Sequence, residues 1–159
     1  MGKKITIRLA DKYDLERIVK LWAELMNLTA EINPRYRLRS GAEEVQQKVF
    51  SELLANDDAF IIVAEAEKRI IAFANGFLTQ PAKTFAQSKI GVIENLMVIE
   101  PWRRRGLGKE LSNRAMAVLH KMGAIEIHVN VIPKNIVSLK FWRALGFEVQ
   151  RLGMTKQQQ

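Results

Sequence analysis

The stretch that decides the fold is residues 92–111, VIENLMVIEPWRRRGLGKEL. Its first part is apolar and typical of a buried strand, Pro101 ends that strand, and apolar residues recur at helical spacing after the glycines. Gly106 and Gly108 therefore lie at a strand-to-helix junction, directly after the arginines at 103–105. A helix N-terminus has unpaired N–H groups and a partial positive charge, and glycines let the backbone approach an anion closely. The junction predicts a phosphate-binding loop.

The basic run allows two other interpretations, a nucleic-acid contact and a solvated surface. The formal net charge is +8, and all of the excess lies in the second half. Residues 1–80 hold 12 Lys and Arg against 12 Asp and Glu, whereas residues 81–159 hold 13 against 5. This asymmetry predicts an anionic partner. A single aromatic residue, Trp102, stands near the arginines, and the following helix has few basic residues, which disfavours nucleic acid.

The composition limits the kind of protein further. The 159 residues suit one globular domain, and no apolar run is long enough to cross a membrane. With no apolar leader either, we expect a cytoplasmic protein without a membrane partner. The absence of cysteine excludes disulfides and a cysteine nucleophile. His120 and His128 lack the spacing of a metal site, so we expect no metal.

The pattern of elements predicts a mixed α/β (α+β) domain in the order β-αα-βββ-α-β-α-β. The second helix is expected to begin at a capping box formed by Ser40 and Glu43, and the last strand to be FEVQRL, residues 147–152. A looser link is expected around Pro81, and the closing KQQQ is expected to fray. The strands on either side of the glycine loop form a β-α-β unit and should be parallel.

Residues 92–111 resemble the acetyl-coenzyme A-binding motif of the GNAT superfamily of N-acetyltransferases: an apolar strand, Pro, then Arg/Gln-x-x-Gly-x-Gly/Ala and a helix. A second stretch, NIVSLKFWRALGF at 135–147, resembles the family's Asn-x-x-Ala-x-x-Phe-Tyr-x-x-x-Gly-Phe, with Ser138 in place of Ala. The start, IRLADKYDLERIVKLW at 7–22, resembles the family's first strand and helix. The resemblance implies one GNAT domain over residues 1–159, with about six or seven strands and about four helices.

The resemblance also implies acetyl-CoA as co-substrate and assigns its contacts. The loop would hold the pyrophosphate, chiefly through backbone N–H groups, with Arg103, Arg104, Arg105, Gly106, Leu107, Gly108 and Lys109. The preceding strand would pair with the pantetheine arm and polarise the thioester carbonyl through one N–H group of Leu96, Met97 or Val98. The second motif would contact the cofactor from the opposite side through Asn135, Ser138 and Phe141.

Acetyl transfer needs a proton acceptor for the amine and a proton donor for the departing thiolate. Glu94 is the candidate general base, and it resembles the Glu in the Leu-Glu-Asp of diamine acetyltransferases, although Asn95 replaces the Asp. Trp142 stands where the family often has a Tyr as general acid, and an indole N–H is not a usable acid at neutral pH. Tyr36, in the segment between the first two helices, is a weak substitute. Direct attack in a ternary complex is expected because there is no cysteine.

The acceptor is left open between a small amine and a protein N-terminus or lysine. The alternatives to an enzyme are a non-catalytic CoA-binding module, favoured by Trp142, and a nucleic-acid-binding protein that uses the basic half. A homodimer is also left open.

Overall fold

The computed structural model describes residues 4–81 and 89–156. Within them lie the strands β1 (Ile5–Leu9), β2 (Ala59–Ala66), β3 (Arg69–Thr79), β4 (Ile90–Val98) and β5 (Glu126–Val129). The α-helices are α1 (Leu15–Ile32), α2 (Ala42–Leu54), α3 (Leu107–Lys121) and α4 (Ile136–Ala144). Short 3-10 turns follow β1, α1 and β4 at Lys12–Asp14, Pro34–Tyr36 and Glu100–Trp102. The predicted mixed α/β class is confirmed.

The strands form one sheet in the order β1-β2-β3-β4-β5. The first four strands are antiparallel to their neighbours, and β5 is parallel to β4, as the β-α-β unit around the glycine loop predicts. The loop before α3 therefore follows the strand next to the sheet edge.

Helices cover both faces of the sheet. Alternate residues of β2 belong to different clusters: Ile61 and Val63 pack with α1 and α2, whereas Ile62 and Ala64 pack with α3 and α4. A strand buried on both faces is expected to be apolar without alternation, and AFIIVA has that pattern. Each fully buried aliphatic side chain contributes about 1.5–3 kcal/mol relative to an exposed one. The two clusters hold β2 and β3 rigidly in the centre.

The prediction of a closing strand is wrong. Residues 147–152 have no strand structure, and Val149 and Leu152 are 53% and 71% exposed. The alternating pattern of FEVQRL needs a partner strand, and the segment has none in the described sheet; only its first residue, Phe147, packs on the core. The described sheet consequently has five strands instead of six or seven.

The prediction of a capping box at Ser40 and Glu43 is also wrong. Gly41 occupies the N-cap position of α2, and no side chain caps the helix. A reciprocal capping box exists elsewhere, at the turn after β1. There Asp11 accepts a hydrogen bond from the Tyr13 N–H at 2.7 Å, and Asp14 accepts one from the Asp11 N–H at 2.9 Å. The link after Pro81 lies mostly in 82–88, and the end of KQQQ in 157–159, outside the described residues.

Arg8 ties the first strand to its surroundings. Its guanidinium donates two hydrogen bonds to the carboxylate of Asp14, at 2.6 and 2.9 Å, and it also contacts Glu65 on β2 at 2.9 Å. Asp14 is buried, and the hydrogen bond from Arg8 holds the pKa of its carboxyl below the usual value. The bidentate geometry makes this pair stronger than an ordinary surface ion pair.

Candidate active site

A β-bulge interrupts β4 in the middle of the sheet. Asn75 on β3 is opposite Asn95, and the next β3 residue, Gly76, is opposite Ile93, so Glu94 is the extra residue. In a regular strand, successive side chains point to opposite faces. The bulge breaks that alternation, and the side chains of Glu94 and Asn95 both reach Asn75.

The three polar side chains form a connected network. Asn75 Nδ2 donates to Glu94 Oε2 at 2.9 Å, and Asn95 Nδ2 donates to Asn75 Oδ1 at 2.9 Å and to Glu94 Oε2 at 3.4 Å. Asn75 is fully buried and Asn95 is 9% exposed, while Glu94 is exposed. Phe73, two residues before Asn75, packs in the α1–α2 cluster, so the network lies on that face of the sheet. Two buried amides thus hold one surface carboxylate in place.

Gly76 is the residue that allows the strands to approach at the bulge. A Cβ atom built there would lie 2.3 Å from the carbonyl oxygen of Val92 and 2.8 Å from the ring of Phe60. Both distances are shorter than any real carbon contact, and the first involves backbone, which cannot rotate away. The bulge therefore depends on glycine at this position.

The edge of β4 that faces β5 is paired over only half of its length. The parallel ladder runs from Ile90 opposite Glu126 to Ile93 opposite Val129, where β5 ends. Beyond that point β4 continues to Val98 alongside β3 alone within the described sheet. The two strands thus leave an opening at the end of β4 that leads to the glycine loop.

The pattern of hydrogen bonds between β3 and β4 shows which backbone groups face this opening. The Ile99 N–H donates to the Ile71 carbonyl at 3.0 Å, and in an antiparallel ladder alternate residues turn toward the same partner. Met97 therefore directs its N–H and C=O groups to β3. Leu96 and Val98 direct theirs away from β3, into the opening. Of the three residues considered from the sequence, only these two present amides there.

The glycine loop turns sharply before α3. Gly106 is the N-cap, with φ +82°, and Arg104 also lies in the left-handed region, with φ +60°. The first helical hydrogen bond runs from the Glu110 N–H to the Gly106 carbonyl at 3.0 Å, and no side chain caps the helix. The N–H groups of Leu107 and Gly108 precede that bond and have no partner within the helix. The helix start is therefore suited to an anion.

The three arginines have different positions. Arg103 folds back onto the strand, and its Nε donates to the Val98 carbonyl oxygen at 2.7 Å. Arg105 lies over the ring of Trp102, with 5.7 Å from its guanidinium carbon to the ring centroid. Two further basic residues are exposed around the helix start: Arg104 and Lys109. Arg103 thus fixes the loop against β4, and the other cations surround the helix start.

The second motif places α4 beside the loop. Asn135 is the N-cap of α4, and its Oδ1 accepts a hydrogen bond from the Ser138 N–H at 3.0 Å. The ring of Phe141 lies 3.4 Å from the position of a Cβ atom at Gly108. Through Phe141, α4 thus packs against the start of α3.

Trp142 is part of the core. It is 8% exposed, and its ring makes edge contacts with Phe141 and Phe147, each at 5.1 Å between centroids. Tyr36 is on the surface, 43% exposed, in the 3-10 turn after α1. The neighbouring Arg35 donates to Thr155 Oγ1 at 3.3 Å, so the C-terminal segment reaches the same turn.

Sequence reasoning overlooked Asn75, Gly76 and the pair Glu126–His128. Asn75 and Gly76 interrupt the apolar run RIIAFANGFLT, and a polar residue followed by glycine inside a buried strand is a signal for a bulge. Glu126 and His128 alternate with apolar residues on β5, which marked them only as one face of a strand. Their contact, 2.6 Å between His128 Nε2 and Glu126 Oε1, comes from the structure.

Two observations concern metals and membranes. In residues 4–81 and 89–156, three or more His, Asp or Glu side chains nowhere gather as they would around a metal ion. No helix in this part of the chain has the length and apolarity to cross a bilayer.

The acetyltransferase (GNAT) family model matches residues 22–147. The chain therefore belongs to the acetyltransferase (GNAT) family, a family of N-acetyltransferases, and the fold implied by the sequence motifs is confirmed. A comparison with curated proteins found no match.

Several solved structures share the fold. An aminoglycoside N-acetyltransferase, AAC(6')-Iy, solved in complex with CoA, is 22% identical with a TM-score of 0.79, over 99% of this chain and 97% of that one. A mutant of the BH1408 protein from Bacillus halodurans is 21% identical with a TM-score of 0.86, over 97% and 99%. Glucosamine-6-phosphate N-acetyltransferase from Arabidopsis thaliana is 22% identical with a TM-score of 0.72, over 98% and 99%.

Proposed function

We propose that the protein transfers the acetyl group of acetyl-CoA to a primary amine by direct attack in a ternary complex. The observation that carries this proposal is the continuity of two surfaces. The Leu96 and Val98 backbone edge leads directly to the start of α3, since Arg103 bonds to the Val98 carbonyl and a Cβ atom at Gly108 would lie 3.9 Å from the Val98 side chain.

The cofactor would follow that continuous surface. Its pyrophosphate binds the N–H groups at the start of α3, where the helix dipole and exposed cations favour an anion. Its pantetheine arm lies along the open edge of β4 as a further strand, with Phe141 near the turn and the Asn135 side-chain amide on the other side. The AAC(6')-Iy structure with CoA bound supports a CoA site in this fold.

The reaction forms a C–N bond and breaks the C–S bond of the thioester. The amine nitrogen attacks the carbonyl carbon, and an N–H group of Leu96 or Val98 stabilises the negative charge that develops on the carbonyl oxygen. The chain contains no cysteine that could carry the acetyl group as a thioester. Transfer therefore takes place in one step between the two bound substrates.

The amine arrives on the face that carries Glu94. An alkylammonium has a pKa near about 10.4, so a proton must leave before the nitrogen can attack. The carboxylate of Glu94 is exposed and held by Asn75 and Asn95, so it attracts the cation and accepts the proton directly or through a water molecule.

The departing thiolate needs a proton from a group other than Trp142. The indole is buried between two phenylalanines, and we assign it a packing role. Water or Tyr36 supplies the proton. Tyr36→Phe separates these two: a loss of kcat assigns the role to Tyr36, and unchanged kcat assigns it to water.

The solved structures that share this fold indicate which amines should be tested as acceptors. Two of them are named for amino sugars, an aminoglycoside and glucosamine 6-phosphate. We therefore expect a small amine to be the acceptor. Amino sugars, polyamines, amino acids and lysine peptides form the panel that tests this.

The decisive experiment measures thiol release from acetyl-CoA across that panel, with direct CoA binding by calorimetry beside it. We expect Glu94→Gln to lower kcat/KM about 100-fold or more without weakening CoA binding. Glu52→Gln, an exposed carboxylate on α2, is the matched control and should behave as wild type. CoA binding without transfer to any amine would indicate a non-catalytic module, and absence of CoA binding would reject the proposal.

A further inference from the structure

The pair Glu126–His128 has a defined hydrogen-bond arrangement. His128 Nε2 lies 2.6 Å from Glu126 Oε1, and both side chains are 41% exposed. An ionised carboxylate only accepts hydrogen bonds, so the neutral imidazole donates through Nε2–H. Its Nδ1 then carries the free lone pair. Histidines that take up protons are commonly oriented by a carboxylate in this way.

The pair lies on the same face of the sheet as Glu94. The alternate residues of β5, Ile127 and Val129, pack in the α3–α4 cluster, so Glu126 and His128 project to the opposite side. That side is the α1–α2 face, on which Asn75, Asn95 and Glu94 form their network.

The register places the two groups near the same end of the β4–β5 ladder. His128 is directly opposite Val92, and Glu94 is two residues further along β4, just beyond the last pair, Ile93 and Val129. The two side chains are therefore diagonal neighbours on one face of adjacent strands. Among the described residues, Lys89 is a charged residue at the start of the ladder, immediately before β4, and its carbonyl accepts from the Ile125 N–H at 3.1 Å.

We propose that His128, oriented by Glu126, is a second proton acceptor of the acceptor site. The proposal rests on the proposed acetyl transfer. The ammonium proton of the acceptor passes to His128 Nδ1, the resulting imidazolium is stabilised by Glu126, and the proton is then released to solvent. Glu94 Oε2 accepts two hydrogen bonds from the neighbouring amides, and this carboxylate still attracts the cation and remains an alternative acceptor of the same proton.

The chemical reason is the match between proton donor and acceptor. Among free side chains, imidazole is a stronger base than a carboxylate, so in general it is the better acceptor for a proton from an alkylammonium ion. General-base efficiency is greatest when the pKa of the base is close to the working pH. A histidine beside Glu94 therefore adds a base that is better suited to accept the proton of an amine.

The first test uses His128→Gln, with His120→Gln as the matched control. His120 is the other histidine of the chain, exposed in the last turn of α3. We expect His128→Gln to lower kcat/KM about 10- to 100-fold and to change the pH dependence of kcat/KM, while CoA affinity and melting temperature stay unchanged. His120→Gln should match wild type. If the wild type is active and His128→Gln has the same pH profile as the wild type, the role of His128 is rejected and the proposed acetyl transfer stands. If the wild type acetylates no amine, the proposed acetyl transfer is rejected as well.

The second test needs no turnover. Nitrogen NMR on His120→Gln protein observes the His128 ring as the single histidine signal. We expect the neutral ring to be protonated at Nε2, and Glu126→Gln to shift the titration of that ring. Protonation at Nδ1 would leave that nitrogen without a lone pair for the proton of the acceptor and would overturn the proposal.

Discussion

At position 76 the sheet accommodates a hydrogen atom and nothing larger, since the carbonyl oxygen of Val92 and the ring of Phe60 occupy the space of a Cβ atom. The bulge that Gly76 permits brings Glu94 and Asn95 to one face. One missing side chain thus positions the carboxylate on which the proposed chemistry depends.

Replacing Gly76 with Ala should destabilise the protein and displace Glu94. Overpacking of this kind costs about 1–3 kcal/mol. We expect a lower melting temperature and a higher KM for the amine, measured by thermal unfolding and thiol release. Gly153→Ala is the control, because a Cβ atom there meets nothing within 4 Å. Equal stability of the two variants would contradict the close approach at the bulge.

Asp14 should make stability depend on pH. The hydrogen bond from Arg8 lowers the pKa of this carboxyl in the folded state, so its contribution is present above the unfolded value of about 4 and disappears as the pH falls through the folded value. Asp14→Asn should cost about 1–3 kcal/mol at pH 7 and progressively less toward pH 2. Urea unfolding at a series of pH values measures this. Asp57→Asn, in an exposed turn, is the control, and a constant difference between wild type and Asp14→Asn at all pH values would refute the prediction.

At the scale of elements, α3 and β4 act together. The helix start presents unpaired amides, the strand edge presents the backbone of Leu96 and Val98, and Arg103 joins the two. Gly106 and Arg104 both have a left-handed backbone conformation, and this allows the chain to turn sharply from β4 into α3.

Gly106→Ala should weaken CoA binding more than it weakens folding. A left-handed alanine costs about 1–2 kcal/mol. Gly146→Ala is a close control, because Gly146 also has a left-handed φ, +89°, and also has nothing within 4 Å of its Cβ position, but it follows α4. We expect similar losses of stability in both variants and a raised Kd for CoA in Gly106→Ala alone, by calorimetry. A similar rise in Kd in both variants would argue against the α3 start as the phosphate site.

At the scale of the whole molecule, the positive charge is concentrated in residues 81–159, the half that contains β4, the loop and α3. The neutral half supplies α1, α2 and the first strands. We therefore expect the attraction for an anionic cofactor to come from the second half of the chain.

CoA affinity should fall as the salt concentration rises. The Debye length decreases from about 10 Å at 0.1 M to about 3 Å at 1 M, so exposed cations at the loop are screened. The double variant Arg104→Gln, Arg105→Gln should bind more weakly and depend less on salt, whereas Lys48→Gln on α2 should match wild type. The same titration with DNA and RNA tests the nucleic-acid alternative, which is supported only if saturating CoA leaves binding of the nucleic acid intact.

The sequence by itself determined the order of the observed elements, the parallel β4–β5 pair, the glycine loop between β4 and α3, and the position of Glu94 on the strand before that loop. These features are local: each depends on apolar spacing, a proline or a glycine within a few neighbouring residues. The prediction of a closing strand failed because the alternation in FEVQRL is also a local pattern, whereas a strand needs a partner that only the assembled sheet can provide.

The tertiary structure decided which side chains meet. The register between β3 and β4 determines that Asn75 holds Glu94, and the register between β4 and β5 places His128 opposite Val92, two residues before Glu94. A shift of one residue would send these groups to the opposite face. That register depends on the burial of both faces of the sheet and on the space left by Gly76, which are properties of strands brought together from distant parts of the chain.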